Sequence, residues 1–399
     1  MKKPLLFAAM LCGCLFATTA FAMSERQPGF KFNGGKFRVD PTVNLGLVWE
    51  SNMNNTASHE ESGFSWRIQP ALSLSYNARK TTIGTNMFYT RERAFDSGKG
   101  GDTDSYGINF TLLQQFNERT RLTISGAYTH SENDQFYWTN DPSAPGSIDK
   151  DESENYNFSS ALGYTAKKWH GSIGAAWRRS KQLEGAEQIS DAFSVNGMWG
   201  KAIGAYTYWD FSLGATLDRP DDGDDSVSYS LMTGVSGELS ARTAYSAMLG
   251  VTMYDYNGYV DETAYGPAYN ISGSYRLSRK VTLSLAASSR YESEYAGYGA
   301  SKHYYIFSHT LTAAMNFQWT DVLSSRLDLR YNLEQHEDAG AGAGNSDRTY
   351  MQASASTYYK FNQFATIFGR LSYSMDEYDS RANSDRDNLR AELGLSFRF

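Results

Sequence analysis

From residue 37 to the end of the chain, apolar and polar side chains alternate with a period of two. At the C-terminus Leu389, Ala391, Leu393, Leu395, Phe397 and Phe399 alternate with Arg390, Glu392, Gly394, Ser396 and Arg398. Near the start, Phe37, Val39, Val43, Leu45, Leu47 and Trp49 alternate with Arg38, Asp40, Thr42, Asn44 and Gly46. Successive side chains of an extended strand point to opposite faces, so each run predicts a strand with one apolar and one polar face. Eighteen runs are found: 37–50, 63–77, 81–92, 105–116, 120–130, 155–166, 169–179, 190–200, 207–218, 226–239, 243–255, 265–277, 281–292, 304–319, 323–334, 349–359, 364–375 and 388–399. A tilted strand crosses the bilayer core in ~9–11 residues. Strands of water-soluble proteins centre on ~5–6 residues. The runs are too long and too uniform for the second class.

The connections carry an independent signal. Ala78-Arg79-Lys80, Asn117-Glu118-Arg119 and Ser278-Arg279-Lys280 are tight turns, and they interleave with long polar stretches at 51–62, 93–104, 131–154, 180–189, 219–225, 256–264, 293–303, 335–348 and 376–387. Short periplasmic turns alternating with long extracellular loops are the arrangement of a membrane barrel. Unpaired strand edges are costly in lipid, so the sheet must close. The expected fold class is therefore all-β: a closed antiparallel transmembrane β-barrel of 18 strands over residues 37–399. The first and last strands pair, and the even count leaves both termini in the periplasm.

Residues 1–22 read as a secretory signal peptide. Lys2 and Lys3 precede an apolar run from Pro4 to Phe16, and Ala20-Phe21-Ala22 is a small-residue cleavage site. Residues 23–36 form a short periplasmic segment, too short for a plug domain. A weaker reading is a lipoprotein lipidated at Cys14. Both cysteines, Cys12 and Cys14, lie inside the leader, which removes disulfide and thiolate chemistry from the mature chain. Without the leader there are 35 basic against 44 acidic residues, a net charge of −9 that argues against nucleic acid as a partner. No later run approaches the ~18 apolar residues of a membrane helix. Of 58 aromatic residues 50 are Tyr or Phe, Gly numbers 35 and Pro only 8, which fits an exported barrel. The implied surroundings are outer-membrane lipid and lipopolysaccharide.

Solute chemistry belongs to the inward face. By parity it carries Arg67, Arg178, Arg276, Arg290, Arg326, Arg330, Arg370 and Arg390, with Asp210, Asp328, Glu334 and Glu392. Arg326, Asp328, Arg330, Arg370, Arg390 and Glu392 gather on the last four runs as one wall. Two readings stand: a charged track that orients an anionic solute or sugar, or opposite charges that satisfy one another in a polar lumen. The longest connection, 131–154, carries Phe136, Tyr137 and Trp138 beside carboxylates. It could fold inward as a constriction that stacks sugars, or stand outside as a solvated loop with girdle aromatics. The acidic run Asp218–Asp225 fails the spacing of a helix–loop–helix calcium site, because Pro220 and Tyr229 fall where ligands belong. The six histidines are scattered, and there is no HExxH, GxSxG or phosphate-binding glycine loop. The reading is therefore no enzyme, no metal and no cofactor.

Two segments carry a resemblance. Leu45-Gly46-Leu47-Val48-Trp49-Glu50-Ser51-Asn52, followed by Phe64-Ser65-Trp66-Arg67-Ile68-Gln69-Pro70-Ala71-Leu72-Ser73-Leu74, resembles the opening of the β-barrel porin type 2 family. Members open with a strand ending near Y-x-S/D-N and then a strand containing P-x-L-x-L; here Trp49 stands where Tyr is usual. The terminal Phe399 also resembles the signal by which the barrel-assembly machinery recognises its substrates. The family resemblance implies an outer-membrane component of exopolysaccharide or capsule secretion, with polysaccharide as cargo and a periplasmic export partner. The residues themselves leave two further readings open: a small-solute porin, and a closed barrel that binds a partner through its loops.

Overall fold

Each of the eighteen predicted runs is a strand in the computed structural model, which describes residues 29–53, 62–95, 102–137, 147–183, 188–221, 225–257, 261–295, 303–338, 346–378 and 386–399. A short strand β1 (Phe30–Phe32) comes first. The wall then begins with β2 (Phe37–Glu50), β3 (Gly63–Asn77), β4 (Thr81–Ala94), β5 (Thr103–Gln115), β6 (Thr120–Tyr137) and β7 (Ser147–Thr165). It continues through β8 (Trp169–Gln182), β9 (Gln188–Ala202), β10 (Thr207–Pro220), β11 (Ser226–Ser240), β12 (Thr243–Asn257) and β13 (Asp261–Arg276). It ends with β14 (Val281–Tyr295), β15 (His303–Gln318), β16 (Leu323–Asp338), β17 (Ser346–Lys360), β18 (Ala365–Tyr378) and β19 (Arg386–Arg398). Every wall strand is antiparallel to its sequence neighbours, and β19 pairs with β2 from Arg390↔Glu50 to Arg398↔Thr42. The sheet is a closed 18-stranded barrel, and Phe399 fastens its end by donating its backbone N–H to the Pro41 carbonyl at 3.0 Å.

The burial pattern is inverted relative to a water-soluble protein. Among the described residues nine hydrophobic side chains are buried, whereas large apolar side chains such as Leu213 (56% exposed), Leu249 (60%) and Leu393 (64%) stand out from the wall. An apolar exterior this continuous requires an apolar surround. Aromatic residues edge it. Near the short turns Trp169, Trp199 and Trp209 pack together, with ring centroids 4.9 and 6.0 Å apart. At the other end Tyr128, Tyr156 and Trp177 form a row. Trp169 and Trp177 lie on one strand, roughly 26 Å apart along its length at ~3.3 Å per residue. On a strand tilted ~40° that separation spans ~20 Å of height, of the order of an apolar band ~25 Å tall between two aromatic girdles. The chain is a transmembrane β-barrel.

Two features depart from the sequence reading. The segment 23–36 contributes a nineteenth strand: β1 pairs with β2 from Phe30↔Val39 to Phe32↔Phe37, joined to it by a turn at Asn33–Gly35 in which Asn33, Gly34 and Gly35 take positive φ. The expected loop 131–154 is largely strand. β6 and β7 pair for 18 residues, out to Tyr137↔Ser147, so Phe136 and Tyr137 lie on β6 and not on an inward-folding loop; Trp138 falls outside the described residues. Above the membrane a hairpin meets water on both faces. Alternation is no longer required there, and a polar strand reads as a loop.

Candidate functional site in the barrel lumen

The lumen face follows from strand parity. On β5 to β11 it is built from short polar side chains, including Asn109, Ser125, Ser159, Ser194 and Thr216, which line a cavity of about 870 Å³. Arg178 and Arg290 project into the same cavity from β8 and β14. Hydroxyl and amide groups present both donors and acceptors, so such a surface can exchange hydrogen bonds with hydrated solutes without holding any one of them.

The opposite wall, around the closure of β19 on β2, is charged. Arg390 reaches from β19 to Glu50 on β2 and, at 2.7 Å, to Glu92 on β4. Arg67 on β3 pairs with Glu392 on β19, and Arg370 on β18 meets the same carboxylate at 3.2 Å. Ser65 donates its hydroxyl to Glu92 at 2.7 Å. The three carboxylates are buried, at 8% (Glu50), 6% (Glu92) and 7% (Glu392) residual exposure. Three arginines and three glutamates thus form two adjoining clusters across five strands, Arg390 with Glu50 and Glu92 and Glu392 with Arg67 and Arg370, whose charges sum to zero. Glu392 can lie flat against β2 because residue 46 is glycine; a Cβ there would stand 2.7 Å from Glu392 Oε1. The Arg370 guanidinium also lies over the Phe368 ring, 4.6 Å from its centroid, a cation–π contact.

A second charged group sits higher on the same side. Arg348 binds Asp376 through two parallel bonds of 2.7 and 2.8 Å and reaches Glu334 at 3.3 Å. Arg326 is held by Asp328 on its own strand at 2.6 Å, with both side chains largely exposed. Arg178, Arg276 and Arg330 are exposed, and no ion pair involves them among the described residues. Seven of the eight predicted arginines fall into two sets, and the eighth, Arg290, lines the cavity from β14. Arg67, Arg326, Arg370 and Arg390 are tied to carboxylates, while Arg178, Arg276 and Arg330 face the lumen unpaired.

Parity placed Asp210 inward, and it is 2% exposed. It lies 3.0 Å from Nε2 of His170, across Gly200 of the intervening strand. Glu50, Glu92, Arg348 and His170 belong to the lumen networks but were not foreseen as a group. Each sits at or near a strand end, where alternation fades; only the three-dimensional closure brings residue 50 beside residue 390. Among the described residues no group of three or more His, Cys, Asp or Glu is arranged to hold a metal ion.

No family model matches the chain, and no curated protein matches it. The motif resemblance therefore rests on the β2 and β3 residues alone. Solved structures do resemble it. The copper transporter OprC aligns at 9% identity with a TM-score of 0.50, covering 94% of this chain and 82% of that one. The iron transporter FrpB of Neisseria meningitidis aligns at 8% and 0.49, covering 90% of this chain and 81% of that one. The siderophore receptor PirA of Pseudomonas aeruginosa aligns at 8% and 0.45, covering 94% and 81%. At 9% identity the likeness to OprC is one of fold alone, and the closed barrel itself is read from the strand pairing of this chain.

Proposed function

We propose that the chain is an outer-membrane channel for hydrophilic solutes, with an exported polysaccharide as its preferred cargo. The observation that carries this reading is the polar lumen face, whose Ser, Thr and Asn side chains line a cavity of about 870 Å³ inside a closed wall. Sugar chains are rich in hydroxyl groups and exchange hydrogen bonds with such a face one after another, so no single site retains them. The unpaired Arg178, Arg276 and Arg330 add a positive bias for anionic sugars. The charge-paired wall holds the shape of the barrel. In this reading residues 1–22 direct export, Phe399 guides assembly, and a periplasmic partner delivers the cargo.

The second reading is a closed barrel that works through its external loops. It is favoured by Tyr254, 1% exposed on the inward face of β12 with Ala264 packed against it, a bulky side chain where an open lumen would have a short polar one. Single-channel recording of the refolded protein in a planar bilayer separates the two. Stable large openings, reduced by added anionic polysaccharide, support a conduit. A barrel that inserts and stays silent sinks the proposal and directs attention to the loops.

A further inference from the structure

Two lysines of the short turns are spent on the fold. Lys80 donates from its ammonium to the Phe116 carbonyl at 3.2 Å, and Lys280 donates to the Trp319 carbonyl at 2.8 Å. Lys201, near the end of β9, is placed differently. Register sets it between Trp169 of β8 and Trp209 of β10, and it shares the lipid-facing side of its strand with Phe193, Val195 and Trp199. Neighbouring strands lie ~4.8 Å apart, so the lysine stands in one row with a tryptophan on each side. Its ammonium rests over the Trp169 ring, 5.4 Å from the centroid, a cation–π contact. The ring meets the charge without taking up hydrogen bonds as a carbonyl does, so the three N–H donors stay available to a ligand.

Two further cations adjoin it. Lys167 and Lys168 form the tight turn from β7 to β8, closed by the Ala166 N–H donating to the Trp169 carbonyl at 2.7 Å. The Lys168 carbonyl accepts the Ala202 N–H at 2.9 Å, which fastens this turn beside Lys201. All three lysines are exposed, and among the described residues no salt bridge involves them. Asp210, next to Trp209 on β10, points to the opposite face, where it lies against His170 at 2% exposure. Three positive charges thus stand uncompensated at the aromatic girdle near the short turns. Water gives way to the apolar band at that level, and a charge there is screened less than one in bulk water.

Fixed cations at a membrane surface attract anionic headgroups. Girdle tryptophans sit at headgroup depth, so the anion that reaches Lys201 between its rings is one anchored in the membrane. A headgroup that carries its own ammonium is disfavoured, because Lys201 already takes the Trp169 face and three like charges surround the place. We propose that Lys201, Lys167 and Lys168, with Trp169 and Trp209, bind the phosphate of an anionic glycerophospholipid of the phosphatidylglycerol class, in the leaflet on the short-turn side. The phosphate oxygens accept from the Lys201 ammonium, the turn lysines add to the attraction, and the Trp199 and Trp209 rings pack on the glycerol. An acidic protein partner would approach the turns from water, whereas Lys201 lies among tryptophans on the wall itself.

The test is native mass spectrometry of the full barrel, released from detergent after incubation with phosphatidylglycerol or phosphatidylcholine of the same acyl chains. The wild-type barrel should retain one phosphatidylglycerol several-fold more than phosphatidylcholine. Lys201→Gln should lower phosphatidylglycerol retention several-fold and leave phosphatidylcholine unchanged, and Lys201→Arg should keep most of it. Lys280→Gln removes the same charge from a lysine bound to a carbonyl and should change little. Folding is checked by heat-modifiable gel mobility, and the double variant Lys167→Gln, Lys168→Gln replaces Lys201→Gln if that variant does not refold. Equal phosphatidylglycerol retention in Lys201→Gln and Lys280→Gln overturns the site, since only diffuse attraction by net charge would remain. Equal retention of the two lipids by the wild type overturns it too, as does Lys201-dependent retention of lipopolysaccharide in place of phosphatidylglycerol.

Discussion

Arg390 is the residue on which the lumen network turns. Its guanidinium lies between Glu50 and Glu92, carboxylates on two different strands, both at or below 8% exposure. Taking it away leaves two buried charges facing each other with no cation between them. Breaking a buried pair in this way costs about 3–5 kcal/mol, far more than the net worth of the pair itself. Arg390→Ala should therefore lower the temperature at which the refolded barrel loses its compact gel mobility, and adding Glu50→Gln and Glu92→Gln should restore much of it. A triple variant no more stable than Arg390→Ala would show that the charges are independent. Arg326 with Asp328 is the contrast: exposed pairs of this kind contribute ~0–1 kcal/mol, so removing both should leave the melting temperature nearly unchanged.

At the scale of elements, the strand cores were legible and their outer ends were not. Where strands cross lipid, one face must be apolar and the other polar, so Leu45, Leu47 and Trp49 or Leu393, Leu395 and Phe397 mark their strands unambiguously. Above the lipid that pressure vanishes. Ser131, Glu132 and Asn133 look like loop residues, yet they continue β6 against β7 through Ser131↔Ser153 and beyond. Directly opposed residues in an antiparallel ladder bring their Cβ atoms within ~4.5–5.5 Å. The double variant Ser131→Cys, Ser153→Cys should therefore cross-link on mild oxidation and shift in a non-reducing gel. Failure to cross-link would return this stretch to a loop. β1 escaped notice for a related reason: Phe30-Lys31-Phe32 is too short to display a period, and its pairing depends on the reversal at Asn33–Gly35.

For the molecule as a whole, charge balance decides selectivity. Around Glu392 and Arg390 three arginines balance three glutamates, so the local field they project into the lumen is small. The unpaired Arg178, Arg276 and Arg330 are not offset in this way. Replacing these three with Gln should move the reversal potential in a salt gradient toward cation preference. The charge-neutral pair Arg326→Gln, Asp328→Asn should leave it where it was. An unchanged reversal potential in the triple variant would remove these three arginines from the control of selectivity.

The period-two alternation by itself determined the architecture: eighteen strands, the interleaved short and long connections, the apolar outer face and the inward placement of Asp210 and the arginines. It could do so because lipid outside and water inside impose their demands on every residue of a crossing strand, and the record is local. Tertiary structure decided what alternation cannot encode. Which inward charges meet depends on register and on the closure of β19 upon β2, which sets Arg390 beside Glu50 and Glu92 across some three hundred residues of chain. The seating of Lys201 is of the same kind. Trp169, Lys201 and Trp209 are unremarkable in sequence, and only the register of three adjacent strands sets them in one row.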